Sequence, residues 1–145
     1  MRANEPMSRH TSWRTGGCAK WHYTPCDKDD LREFLQRVPN DVDIIWCGLG
    51  SNMLVRDGGF DGVVISTHKG LKRLQKTQEH RIFAEAGVPN PKLARSSAKN
   101  SLCGGEFLIG IPGTVGGALA MNAGCFGSET YEICLLYTSP SPRDS

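Results

Sequence analysis

The 145-residue sequence contains no apolar run approaching the roughly 20 residues that a membrane-spanning helix needs, so no membrane association is expected. None of its six cysteines forms a Cys-x-x-Cys pair, which argues against a metal site. No long block of basic residues is present. The 17 lysines and arginines are mixed along the chain with 15 acidic residues, leaving a formal net charge of +2 and making nucleic acid a poor candidate partner. The short basic cluster between Lys69 and Lys76 reads as a solvated face. The opening residues Met1-Arg2-Ala3-Asn4-Glu5 lack the apolar core of a secretory signal, so reduced thiols packed mostly inside a cytoplasmic protein are expected. No internal repeat of fixed period occurs.

What the chain does have is glycine, concentrated in two runs: Gly48-Leu49-Gly50-Ser51-Asn52 and Gly110-Ile111-Pro112-Gly113-Thr114-Val115-Gly116-Gly117. Glycine loses more conformational freedom on folding than any other residue, so such runs need a geometric or ligand-binding reason. Neither run ends in Gly-Lys-Ser or Gly-Lys-Thr, which argues against an ATPase or GTPase. The first run follows the strand-like segment 42–47, rich in β-branched and aromatic residues. A dinucleotide fingerprint of the Rossmann kind would need a third glycine where Met53 stands, a helix next, and an acidic residue after the following strand. All three are missing, because the turn-rich segment 54–62 leads directly into a second strand over 63–66. Two readings remain for this unit: a loop offering successive N–H groups, with Ser51 and Asn52, to a diphosphate, or a hairpin with an irregular connection.

In the second run Pro112 fixes φ just before Gly113, and 114–121 reads as a short helix of small residues. Its start would offer unpaired amides to a phosphate, while its small residues would serve close packing equally well. Elsewhere the pattern alternates helix and strand. Asp27 is placed to cap a helix carrying Leu31, Phe34, Leu35 and Val38 at helical spacing, ended by Pro39-Asn40, which gives a β-α-β first lobe. A second lobe is expected from about Gly70, with a strand over 81–86 and a helix over 91–102 before the second glycine run. The 39% hydrophobic content is enough for a core in one domain or two small lobes.

The motifs Arg14-Thr15-Gly16-Gly17, Gly48-Leu49-Gly50-Ser51-Asn52-Met53-Leu54-Val55-Arg56-Asp57, Glu85-Ala86-Gly87, Gly110 through Ala118, and Met121-Asn122-Ala123-Gly124 resemble, in order and spacing, the bacterial UDP-N-acetylenolpyruvoylglucosamine reductases. The resemblance spans about residues 4–134. It implies an α+β FAD-binding fold of the vanillyl-alcohol oxidase (PCMH) type, truncated, with two small lobes holding the flavin between them: 1–69 and an incomplete 70–134. The implied cofactor is FAD, with NADPH as co-substrate and a UDP-sugar as the substrate of the full-length enzyme. The implied reaction reduces an enolpyruvyl ether to a lactyl ether, giving UDP-N-acetylmuramate for the peptidoglycan of the cell wall. The expected cofactor contacts are Gly48, Leu49, Gly50, Ser51, Asn52 and Met53 from the first run. Ile111, Pro112, Gly113, Val115, Gly116 and Gly117 follow from the second, with Asn122 beyond it.

In that family the enolate is stabilised, and the proton supplied, by an arginine in a Tyr-Arg-x-Ser segment, a serine in a Gly-Ser-x-Phe segment and a late glutamate. Neither segment occurs in this sequence, so no catalytic residue is assigned and the chain itself is expected to be inactive. Ser51 belongs to the proposed phosphate loop, and Ser128 lacks the aromatic continuation. Two departures stand out: Leu49 replaces the middle glycine of a triple-glycine loop, and Phe126 replaces a tyrosine and its hydroxyl. The Ser- and Pro-rich residues 135–145 are expected to be foreign sequence joined to an interrupted domain, with a natural disordered tail as the alternative. Two other functional classes stay open: a different flavin oxidoreductase of the same fold, or a non-catalytic nucleotide-binding module.

Overall fold

The computed structural model describes residues 1–135. The expectation about the Ser- and Pro-rich tail therefore falls almost wholly outside the described residues.

Four strands, β1 (Arg2–Pro6), β2 (Cys18–Tyr23), β3 (Ile44–Cys47) and β4 (Phe60–Ser66), form a sheet in the order β1-β2-β4-β3. β4 is central and pairs in parallel with both neighbours, while β1 runs antiparallel to β2 at the edge. Gly62 to Ser66 are all buried, as expected of a strand covered on both faces. The parallel register of β3 and β4, from Ile44 opposite Val63 to Cys47 opposite Ser66, excludes the hairpin alternative for this unit. Parallel strands need a connection that carries the chain back along the sheet. Here the irregular segment 48–59 does so, and that is why the first glycine run sits at the carboxyl end of β3.

Between β2 and β3 the helix α1 (Lys28–Arg37) covers one face of the sheet. The Asp27 side chain accepts from the amides of Asp29 and Asp30, both at 2.9 Å, and the helix ends at Val38, whose extended backbone is what a following proline imposes. Leu31, Phe34 and Leu35 pack on Tyr23, Val63 and Ile65, and the Phe34 ring stacks on Tyr23 at 3.8 Å. Met7, Ala19, Cys47, Val55 and Val64 form a second apolar cluster, against which Met53 and Phe60 pack.

Beyond the sheet come the hairpin β5 (Leu74–Gln78) and β6 (Arg81–Ala84), then α2 (Asn90–Lys99) with a proline in its first turn, and α3 (Val115–Met121). A small hairpin, β7 (Gly124–Cys125) and β8 (Ser128–Glu129), leads into the single turn α4 (Thr130–Ile133). Ala94, Phe107, Leu108 and Ile111 make a third cluster beneath α2. The thiols depart from expectation. Only Cys47 is buried; Cys18, Cys26 and Cys103 are exposed, and all six cysteines are free. None of the three clusters draws on an exposed thiol, which is why those positions tolerate exposure.

Candidate functional site

Residues 48–53 leave the carboxyl end of β3, the end at which open parallel sheets place their ligands. Two backbone features fix the loop. Gly50 has φ +68°, and a Cβ there would collide with the His10 carbonyl, so only glycine lets the loop lie against 10–12. Its carbonyl then accepts from the Ser12 amide at 3.0 Å. Among the described residues, the amides of Leu49, Gly50, Ser51 and Asn52 have no protein acceptor. Four successive free N–H groups form a concave donor surface of the kind that receives phosphate oxygens.

The second glycine run packs directly against this loop. A Cβ on Gly48 would collide with Thr114 Oγ1, and one on Gly113, where φ is +103°, would lie 2.8 Å from Ser51 Oγ. Asn52 Nδ2 reaches Met121 Sδ at 2.8 Å and ties the loop to the end of α3. Between the two runs lies a cavity of about 210 Å³. Of the residues expected from the sequence, Gly48, Leu49, Gly50, Ser51, Asn52, Met53, Ile111, Pro112 and Gly117 line it.

Gly113, Val115, Gly116 and Asn122 do not line the cavity. The amides of Val115 and Gly116 donate to the carbonyls of Val88, at 2.8 Å, and Ala86, at 2.9 Å. Gly117 N–H points to the capping Thr114 Oγ1 at 3.4 Å, and Ala118 N–H donates to Thr114 O. The open helix start expected from the sequence is thus corrected: the first four amides of α3 are all engaged, and the free ones lie just before it, at Gly113 and Thr114. Gly116 is small because Ala86 is close; an added Cβ would sit 2.8 Å from Ala86 Cβ. Asn122 ends α3 in the left-handed conformation, and its Oδ1 accepts from the Tyr131 amide at 2.9 Å.

The cavity also contains residues that the motif reading passed over: Trp46, Thr114, Ala118, Ala120 and Met121. Strand alternation carries the signal for Trp46, since the buried Cys47 beside it forces the indole to the opposite face, where it is 46% exposed. Asn90 was missed too. It is fully buried, and neither polar atom of its amide has a partner among the described residues. Of the two departures from the family pattern, Leu49 is partly exposed at the cavity rim, and the Phe126 ring is 82% exposed with φ +55°.

Behind the first loop lies a buried polar network. Glu5 Oε1 accepts from Arg2 at 3.2 Å and meets His10 Nε2 at 2.9 Å; the His10 ring stacks on His22 at 4.1 Å, and His22 Nε2 meets Ser66 Oγ at 2.9 Å. Burial, aided by the charge of His10, pushes His22 down to about 4, and the hydrogen bond from His10 holds Glu5 below its usual range. Burial raises the Cys47 thiol, so it stays protonated next to the loop.

The comparisons with known proteins agree with this geometry. The family model described as FAD binding domain matches residues 21–138. UDP-N-acetylenolpyruvoylglucosamine reductase of Nitrosomonas eutropha is 54% identical over 136 residues, covering 91% of this chain and 41% of that protein. The enzyme of the same name from Thiobacillus denitrificans is 54% identical over 142 residues, with shares of 89% and 44%. The crystal structure of UDP-N-acetylenolpyruvylglucosamine reductase (MurB) from Thermus caldophilus is similar at TM-score 0.67 and 31% identity, covering 86% of this chain and 43% of that one. The chain therefore spans less than half the length of the curated relatives it matches. The fold is the α+β FAD-binding fold of the vanillyl-alcohol oxidase type that the motifs implied. By its matched span, its motifs and its fold, this chain belongs to the FAD-binding domain family.

Proposed function

We propose that the chain is the flavin-holding part of an FAD-dependent reductase that converts UDP-N-acetylglucosamine enolpyruvate to UDP-N-acetylmuramate at the expense of NADPH. The observation that carries the cofactor assignment is the row of four free amides at 49–52, facing a second glycine run across a cavity. These residues fit an FAD diphosphate. They offer donors without a basic side chain, and Gly50 keeps the loop where an added Cβ would displace it. Leu49 to Asn52 would hold the phosphate oxygens, with Thr114 donating from the other side, while Trp46 and Met53 supply apolar walls. When bound, the flavin supplies hydride transfer between NADPH and the enol ether. The first lobe is read as 1–69 and the second as 70–134, a division supported by the sheet ending at Ser66 and by the Ala94, Phe107, Leu108 and Ile111 cluster lying wholly beyond it.

The substrate assignment rests on the named relatives, and the product places the enzyme in peptidoglycan synthesis. A cytoplasmic site of action suits the reduced nucleotide; no helix among the described residues is long and apolar enough to cross a membrane. The sequence holds neither segment that carries the family's proton donor and enolate-stabilising arginine, so the chain alone is assigned no turnover. The test is a hybrid in which residues 1–134 replace the matching part of the Nitrosomonas eutropha enzyme. Substrate-dependent NADPH oxidation by the hybrid, and none by the isolated chain, supports the reading. A flavin-loaded hybrid that reduces a different acceptor overturns the substrate assignment.

A further inference from the structure

A larger cavity, of about 440 Å³, shares Leu49 with the glycine-loop cavity. Arg9, Arg14 and Lys69 line it together with His10 and His68, and no carboxylate is among its lining residues. Among the described residues, none of the three cations is in an ion pair. The nearby acid is Glu5, which is buried, is held by Arg2 and His10, and does not line the cavity. Three exposed like charges thus surround one concavity with no acidic side chain on its wall, a local excess of positive charge that attracts an anion.

The backbone adds an independent observation. Arg14 has φ +52°, a left-handed conformation that L side chains other than Asn and Asp rarely adopt. Its amide donates to the Thr11 carbonyl at 3.1 Å, closing a tight turn next to the glycine pair Gly16-Gly17. Glycine would occupy Arg14's position without strain, so the guanidinium is kept there at a conformational cost. His68, half-buried and hydrogen-bonded to the Gly48 backbone, forms part of the wall. The hydroxyl of Ser12 completes a rim of donors.

We infer that this cavity is a second anion site that takes a phosphate group, distinct from the loop at 49–52. Arginine and lysine donors clamp the phosphate oxygens, while His10, held by Glu5, and His68 form the wall behind them. The inference does not depend on the flavin assignment, because the two cavities share only the Leu49 side of the loop.

The test titrates the 145-residue chain, in phosphate-free buffer, with inorganic phosphate, 5′-AMP and adenosine by calorimetry. Saturable binding of phosphate and AMP, but not adenosine, is expected. AMP binding more tightly than free phosphate identifies a nucleotide as the source, and equal affinities identify free phosphate; adenosine binding as well as AMP overturns the proposal. Arg14→Gly and Lys69→Gln should each weaken phosphate by about tenfold, the loss typical of one charge-assisted hydrogen bond. Arg14→Gly should also leave the thermal midpoint equal or higher, since it relieves the positive φ, which a merely structural arginine would not do. Ser51→Asp puts a carboxylate into the other loop and should leave this binding unchanged. With Ser51→Asp present to close the 49–52 loop to phosphate, affinity that survives both cation variants overturns the proposal, as does its loss in Ser51→Asp alone.

Discussion

Acid should destabilise this protein through one buried histidine, and the size of the effect follows from its surroundings. His22 is 4% exposed, bonded to Ser66 and stacked on His10. Burial, then the His10 charge, depresses it from 6.5 to about 4. The folded state therefore binds this proton less readily than the unfolded chain. The stability due to neutral His22 is fully present above 6.5 and is lost as pH falls toward 4. At about 1.4 kcal/mol per pH unit the whole effect is about 3 kcal/mol, of which about 2 kcal/mol falls between pH 7 and pH 5. Glu5, held low mainly by its His10 bond, is lost in the same direction, below the usual carboxylate range. Urea unfolding of the wild type and of His22→Gln at pH 8, 7, 6 and 5 measures this. The variant keeps a hydrogen-bonding side chain but cannot titrate, so its stability should fall by about 2 kcal/mol less between pH 7 and 5. Parallel pH profiles for the two proteins would refute the reasoning.

The remaining predictions concern α3 and its cap. Gly116→Ala sets a methyl 2.8 Å from Ala86 Cβ and 3.0 Å from its carbonyl, so thermal unfolding should show a loss of about 1–3 kcal/mol. Flavin stoichiometry in the folded Gly116→Ala fraction should stay unchanged, because Gly116 does not line the cavity. Thr114→Val keeps the shape but removes the Oγ1 that receives the Gly117 amide, at a cost of about 1 kcal/mol, and Thr114→Ser should restore it. Equal unfolding midpoints for the Val and Ser variants would contradict the cap.

Local signals made much of this legible. Asp27 followed by an apolar stripe at helical spacing specified α1, and the glycine runs marked two loops that the fold packs against each other. The strand before α1 was implied by the β-α-β reading, but β1 is illegible because it is a mostly exposed edge strand with little apolar alternation, whose pairing depends on β2 sixteen residues later. The engaged amides of Val115 and Gly116 were illegible for a related reason. Their acceptors, Val88 and Ala86, lie 27 and 30 residues earlier, so only tertiary contact shows that the helix start is closed. Trp46 reads in the sequence as one more strand residue, although the alternation that turns Cys47 inward also turns the indole toward the cavity.

The central claim is that the amides of 49–52 hold the diphosphate of a flavin dinucleotide, and flavin selectivity tests it most directly. FAD carries a diphosphate, FMN a monophosphate and riboflavin neither. Fluorescence titration of the chain with all three should show FAD bound most tightly, with Ser51→Asp erasing that preference and Arg14→Gly preserving it. Equal affinity for FAD and riboflavin, or an FAD preference untouched by Ser51→Asp, would contradict the account.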